Sequence, residues 1–157
     1  MTFPNHKGMS YMKEMLDAVY QGLVSDSELQ TLSGGTVRLR YKLAEYNEAF
    51  PYIVYMVRDV KMRFDDNVTA YDARIDFDIW TYSEDHSIAL SIQAAMVRVL
   101  HMKHINTTGG TARFWFDRSM NIPVDRDDNF KEPTVGRLKL VFFARFIDNE
   151  MITNAVY

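Results

Sequence analysis

The stretch from Tyr71 to Tyr82 constrains the fold of this chain more than any other, because its side chains alternate in character. The apolar residues fall on one parity: Tyr71, Ala73, Ile75, Phe77 and Ile79. The charged residues fall on the other parity: Asp72, Arg74, Asp76 and Asp78. This period of two predicts a β-strand with one buried face and one solvated face.

A long helix is predicted to follow this strand directly, over residues 84–104. Ser83 can cap the helix, and Glu84 and Asp85 would lie at the positive end of its dipole. Apolar residues recur at short helical intervals from Ile88 to Leu100, so we expect one apolar stripe packed across a sheet.

A second amphipathic helix is predicted over residues 10–24, where apolar side chains such as Met15, Val19 and Leu23 share one helical face. The polar run that starts at Ser25 can cap a further short helical turn. Gly34 and the glycine after it then end the helical region.

Other parts of the chain favour strands and turns. The predicted segments are a short strand or arm at Val37–Lys42, a strand at Tyr52–Val57, a strand end with a hairpin turn at Asp59–Thr69, a strand from Thr111 to Arg118 and a long strand from Thr134 to Ile147. The Tyr52–Val57 strand is apolar on both parities, which predicts cover on both sides from the domain or a neighbouring subunit. The fold class is therefore α+β, with a mainly antiparallel sheet of about four strands and both helices packed on it.

The chain is predicted to be one domain over residues 1–147, because its 157 residues can bury a single core. Residues 148–157 have no clear period and read as a C-terminal tail that either frays or docks on a partner. A charged loop is expected at Asp125–Lys131.

Composition excludes several classes of function. The net charge of −3 argues against sequence-independent binding to nucleic acid, which needs a surplus of Lys and Arg. The absence of cysteine excludes disulfides, thiolate metal sites and cysteine nucleophiles. No apolar run approaches the roughly 18 to 20 residues that span a bilayer, so we expect a soluble protein with no membrane partner.

No motif predicts catalysis, a metal or a cofactor. His101 and His104 lack a third ligand at metal-binding spacing. The run that begins at Asp125 lacks the turn glycine and terminal glutamate of a calcium loop. Asp76 and Asp78 lie on a strand flanked by basic residues rather than in an apolar pocket that would raise a carboxylate pKa.

The two long strands carry charges of opposite sign. The acidic face presents Asp72, Asp76 and Asp78, and the basic face presents Arg137, Lys139 and Arg145. These faces can meet across neighbouring strands or across a subunit boundary, so the six residues are candidates for a subunit interface or a lumen. A monomer with two solvated sheet faces would show the same residues.

The order of these segments resembles the tail terminator or tail completion proteins of long-tailed bacteriophages. The matching parts are Phe50-Pro51-Tyr52, the strand end Ile79-Trp80-Thr81-Tyr82-Ser83, the helix from Glu84 to His104, and Arg113-Phe114-Trp115-Phe116. The resemblance extends from about Met9 to Asp148 and rests on arrangement rather than on one long motif.

The resemblance implies a non-enzymatic virion protein of the tail or neck, assembled in the host cytoplasm. Such a protein forms a ring, usually of six copies, that ends growth of the tail tube and joins the tube to the head. Its implied partners are its own copies, the tail-tube protein and the head connector or head-closure protein, with DNA only as passing cargo. The alternatives are a head-closure or other neck or baseplate component, and a small non-phage ligand-binding or enzymatic domain.

Overall fold

A computed structural model describes residues 4–65, 68–107, 109–124 and 135–148. Its helices are α1 (Pro4–Val24), α2 (Ser27–Leu32) and α3 (His86–Leu100), with a 3-10 turn at Ser83–Asp85 before α3. Its strands are β1 (Leu39–Tyr41), β2 (Tyr52–Asp65), β3 (Val68–Tyr82), β4 (His104–Asn106), β5 (Gly110–Ile122) and β6 (Val135–Asp148). The predicted charged loop at Asp125–Lys131 and the tail beyond Asp148 lie outside the described residues.

The strands form one sheet in the order β1-β2-β3-β6-β5-β4. β1 runs parallel to β2, and every other neighbouring pair is antiparallel. The alternating strand that opened the sequence analysis is β3, which is paired along its length with β2 and β6 and therefore lies at the centre of the sheet.

The helices cover one face of this sheet. The apolar parity of β3 points into that core, where Ile75, Phe77 and Ile79 are fully buried. The helical side contributes Met15, Val19 and Leu23 from α1 and Ile92, Met96 and Leu100 from α3. The period-two and helical patterns therefore predicted both partners of the core correctly.

The predicted number of strands, about four, was too small, because the described residues form a six-stranded sheet. The sheet is mixed, with β1 parallel to β2 and the other neighbouring pairs antiparallel, so it is mainly antiparallel as predicted. β4 was missed, since it is only three residues long and its first residue, His104, was assigned to the preceding helix. β1 was predicted as a strand or an arm, and its parallel pairing with β2 confirms the strand.

The helix bounds also differ from the predicted ones. α1 begins at Pro4 rather than near residue 10. α3 begins at His86, after the 3-10 turn, and no side-chain capping bond is made at Tyr82 or Asp85. It ends at Leu100 because His101 is extended and Met102 has a φ of 60°, which turns the chain toward β5.

Both long outer strands, β2 and β5, are interrupted by bulges. The β2–β3 register shifts between Arg58 and Lys61, where Asp59 has a φ of 54°. The β5–β6 register shifts between Phe116 and Arg118. The predicted strand end and hairpin within Asp59–Thr69 are confirmed, since β2 ends at Asp65 and β3 begins at Val68.

Candidate subunit-contact face

No described helix covers the second face of the sheet, which we call the open face. All six predicted interface residues lie on it: Asp72, Asp76, Asp78, Arg137, Lys139 and Arg145. Their strand neighbours Arg58, Arg74, Trp80, Trp115 and Phe143 share the same parity and lie on the same face. The structure therefore brings the acidic and basic residues together on one surface.

The register of β3 against β6 pairs these charges within the chain. Asp72 lies opposite Arg145, whose Nε is 2.8 Å from Asp72 Oδ1. Asp78 lies opposite Lys139, and its Oδ2 is 2.9 Å from Nη2 of Arg137, two residues along β6. The sequence left open whether these charges meet across neighbouring strands or across a subunit boundary. Within this chain they meet across the neighbouring strands β3 and β6, and these ion pairs support the β3–β6 register.

Asp76 is the centre of the charged cluster. Its side chain is 3% exposed, and it lies 2.8 Å from Arg74 Nε, 3.0 Å from Arg58 Nε and 3.7 Å from Lys139 Nζ. The hydrogen bond to Asp76 raises the pKa of the Arg74 guanidinium, although burial opposes that shift. One buried carboxylate thus holds cations from three adjacent strands.

Aromatic side chains lie among these charges. Tyr52 stacks on Trp80 with ring centroids 6.0 Å apart, and the Arg137 guanidinium lies 5.3 Å from the Trp80 ring centroid. Arg113 lies 5.1 Å from the centroid of Trp115. Trp, Tyr and Arg are enriched in protein–protein interfaces, so the composition of the open face favours contact with protein.

A cleft of about 640 Å³ lies on the open face where β2, β3, β6 and β5 run side by side. Its walls include the apolar side chains of Trp115 and Phe143, and Phe143 is 45% exposed. Its charged residues include Asp59, Lys61 and Arg74. The cleft is large enough to receive side chains from another molecule.

Three buried polar atoms of the open face have no hydrogen-bond partner among the described residues. They are Oδ1 of Asp78, Nε of Arg113 and Nε of Arg137. The same side chains are engaged through other atoms: Asp78 Oδ2 pairs with Arg137 Nη2, and the guanidinium groups of Arg113 and Arg137 lie over the rings of Trp115 and Trp80.

His101, which follows the last residue of α3, has a structural role. His101 Nδ1 accepts a hydrogen bond from the Phe116 amide at 2.9 Å, beside the bulge of β5. Within the described ranges, no group of three or more His, Asp or Glu side chains could hold a metal ion. Nor is any helix in that part of the chain both long enough and apolar enough to cross a membrane.

A family model described as "Tail completion protein gp17" matches residues 17–132. The chain belongs to this family. A chain in a solved structure entitled "Virion of native gene transfer agent (GTA) particle" has the same fold, with a TM-score of 0.72 and 22% identity. The match covers 87% of this chain and 97% of that chain. A search of curated protein sequences found no match.

Family membership makes this tail completion protein a structural component of a phage-type virion rather than an enzyme. It therefore assembles with other virion components. The resemblance inferred from the strand that runs into a helix through Trp80-Thr81-Tyr82-Ser83 is confirmed.

Some residues of the open face were not among the predicted candidates. Arg58, Arg74, Trp115 and Phe143 complete the charged cluster or line the cleft. Parity along each strand was the available signal, because residues that alternate with the buried ones must lie on the second face. The lateral order of the strands was needed to bring them together.

Proposed function

We propose that this tail completion protein forms a ring that ends growth of the tail tube and joins the tube to the head connector. The observation that carries the proposal is the open face, where the half-exposed Phe143 and the partly buried Trp80 and Trp115 lie among ion pairs and no described helix covers them. Membership in a tail completion family supports the place of the ring in the particle.

The open face, with Asp72, Asp76, Asp78, Arg137, Lys139 and Arg145, is proposed to contact neighbouring protein subunits. Trp115 and Phe143 give it the apolar contact area that a wall lining a DNA channel does not need. Arg137 and Arg145 are held by carboxylates, so they are poorly placed to bind phosphates of passing DNA.

A ring requires a head-to-tail interface, in which each copy uses two different surfaces. The open face supplies one surface, and six copies is the expected ring size from the family resemblance. The tail-tube protein and the head connector are the proposed partners on the two sides of the ring, and DNA passes through it.

Assembling particles without this protein tests the proposed function. Particles made without this chain should contain tail tubes longer than normal and heads without attached tails, both visible by electron microscopy. Tails of normal length joined to heads in its absence would contradict the proposal.

A matched pair of substitutions tests the open face. Phe143 and Leu90 are 45% and 47% exposed, and they lie on opposite sides of the molecule, in β6 and in α3. Phe143→Glu should reduce incorporation of the protein into particles at least tenfold, whereas Leu90→Glu should leave incorporation within twofold of the original. Equal incorporation of both variants would show that the open face is merely solvated.

A further inference from the structure

The chain that follows β6, residues 149–157, starts close to the cleft on the open face. We call it the tail segment. Asp148 is the last residue of β6, and Arg145, which lines the cleft, lies three positions before it in the same strand. At about 3.3 Å per residue, the tail segment therefore starts roughly 10 Å from the edge of the cleft. Its nine residues can span about 30 Å when extended, which is enough to turn back and lie in the cleft.

The tail segment has no free sheet edge beside it. Ile147 is paired on both sides, with Ala70 of β3 and with Thr111 of β5. Asp148 is paired with Gly110, which is the first residue of β5. Because β6 is a central strand up to its last residues, the chain that follows it can bury apolar side chains only against one of the two faces of the sheet.

The helical face is already closed at this end of β6. Glu14 of α1 accepts hydrogen bonds at 3.1 Å from the Thr107 hydroxyl and from the Gly109 amide, directly before β5. Phe146 of β6 points to the same face and is 1% exposed. The open face has no described helix and carries the cleft, so it is the face on which the tail segment can be covered.

The sequence of the tail segment is unlike that of a chain that stays in water. Segments that remain solvated are poor in β-branched and aromatic residues and rich in charge. The tail segment has Glu150 as its only charged side chain, and five of its nine residues are apolar or aromatic: Met151, Ile152, Ala155, Val156 and Tyr157. An apolar surface within reach is the cleft, where Trp115 and Phe143 form part of the walls.

We propose that the tail segment folds back over the open face and occupies the cleft of its own chain before assembly. A tethered segment is present at an effective concentration on the order of millimolar, so it occupies the cleft ahead of dilute copies of the protein. The inference rests on the proposed function, because a neighbouring subunit reaches the cleft only by displacing the tail segment. The tail segment thus delays contact between copies until they are gathered at the end of a tail tube.

The two tryptophans of the chain are matched reporters for this contact. Trp115 lines the cleft, whereas Trp80 lies on the same face outside it and stacks on Tyr52. In a chain with Trp80→Phe, deletion of residues 149–157 should raise acrylamide quenching of Trp115 fluorescence at least twofold. In a chain with Trp115→Phe, the same deletion should change the quenching of Trp80 by less than about a quarter.

A second variant separates loss of the contact from a general effect of shortening the chain. Met151, Ile152, Val156 and Tyr157 are all replaced with Ser, which keeps the length of the tail segment and removes its large apolar side chains. This variant should raise the quenching of Trp115 as much as the deletion does, with an unchanged circular dichroism spectrum. Equal quenching of Trp115 in the original and the Ser variant would overturn the proposal.

Protein concentration distinguishes a cleft covered by its own chain from one covered by another copy. The protection of Trp115 should stay constant over a hundredfold dilution of the isolated protein. Protection that is lost on dilution would assign the tail segment to the cleft of a second copy, which also overturns the proposal. Chains without the tail segment should self-associate at a concentration at least tenfold lower in sedimentation experiments, and unchanged association would mean that the segment does not guard the cleft.

The proposed function and the tail contact fail in different ways. Unchanged quenching of Trp115 without the tail segment overturns the tail contact and leaves the terminator ring in place. Normal tail length and head attachment in particles without the protein overturn the terminator ring, and the fluorescence of the isolated chain does not depend on that result.

Discussion

Phe142 and Phe143 are neighbours in β6 and lie on opposite faces of the sheet. Phe142 is fully buried and contacts the rings of Phe77 and Phe116, with centroids 5.5 and 5.3 Å away. Phe143 is 45% exposed on the open face and lines the cleft. The same side chain thus serves the core at one position and is available for an interface at the next.

The two faces achieve specificity by different means. The covered face is apolar, and its stability comes from the area that the helices and strands remove from water. The open face uses directional ion pairs, which support strand register and partner choice more than stability. Substitutions should therefore change stability on the covered face and assembly on the open face.

The largest expected effect is that of Phe142→Ala. Removing this ring leaves a cavity beside Phe77, and the free energy of unfolding should fall by about 3–5 kcal/mol. Urea denaturation followed by circular dichroism measures the change. A loss below about 1 kcal/mol would contradict the description of Phe142 as a core residue.

Asp76→Asn should have the next largest effect, although Asp76 lies on the open face. The substitution removes the negative charge that holds Arg58, Arg74 and Lys139, and it should cost about 1–3 kcal/mol in the free energy of unfolding. Asp72→Asn is the control, because its pair with Arg145 is about one-third exposed and the cost should stay below about 1 kcal/mol. Equal costs would contradict a central role for Asp76.

Phe143→Ala should reduce the free energy of unfolding by less than about 1 kcal/mol, because the removed ring is nearly half exposed. The same urea experiment, run beside Phe142→Ala, measures the contrast between the two faces directly. A loss as large as that of Phe142→Ala would mean that Phe143 belongs to the core, and the comparison between faces would fail.

The smallest expected effect concerns a charge between the helices. Asp26 caps α2 by accepting from the Leu29 amide at 3.1 Å, and both its oxygens lie 2.8 Å from Arg98 Nη2. Burial alone would raise the pKa of Asp26, but the hydrogen bonds from Arg98 and Leu29 outweigh it and lower the pKa. Asp26→Asn keeps a capping oxygen while removing the charge.

The sign of the pH dependence follows from that lowered pKa. The charged Asp26 stabilises the fold above its unfolded-state pKa of about 3.9, and this contribution is lost as pH falls through the lower folded-state pKa. The difference in stability between the original chain and Asp26→Asn should therefore be present at pH 7 and decrease below pH 4. Urea denaturation at pH 7 and below pH 4 measures this difference in stability. A difference that does not change with pH would contradict the lowered pKa of Asp26.

Sequence periodicity was sufficient to predict the strands and helices that are long and bury one face. β3, β6 and the core stripe of α3 were predicted because each places apolar residues at a regular spacing. The polar run that starts at Ser25 was correctly predicted to cap a short helical turn, and Asp26 is the residue that caps α2.

Other features depend on tertiary context that no local pattern carries. β4 is three residues long and forms because His101 and Met102 turn the chain against β5. The predicted C-terminal end of α3, near residue 104, was wrong for the same reason. On the open face, the six charged residues were predicted, but the cluster around Asp76 also needs Arg58 from β2, which only the strand order brings close.

The bulges and short outer strands have a consequence for how the protein behaves before it assembles. β1 and β4 are three residues each, so much of β2 and β5 has no strand partner on its outer side within the described chain. Bulges at Asp59 and beside Asp117 distort these outer sides, which hinders strand-by-strand addition of further copies. A protein proposed to stop the growth of one polymer is thus built so that it does not start another.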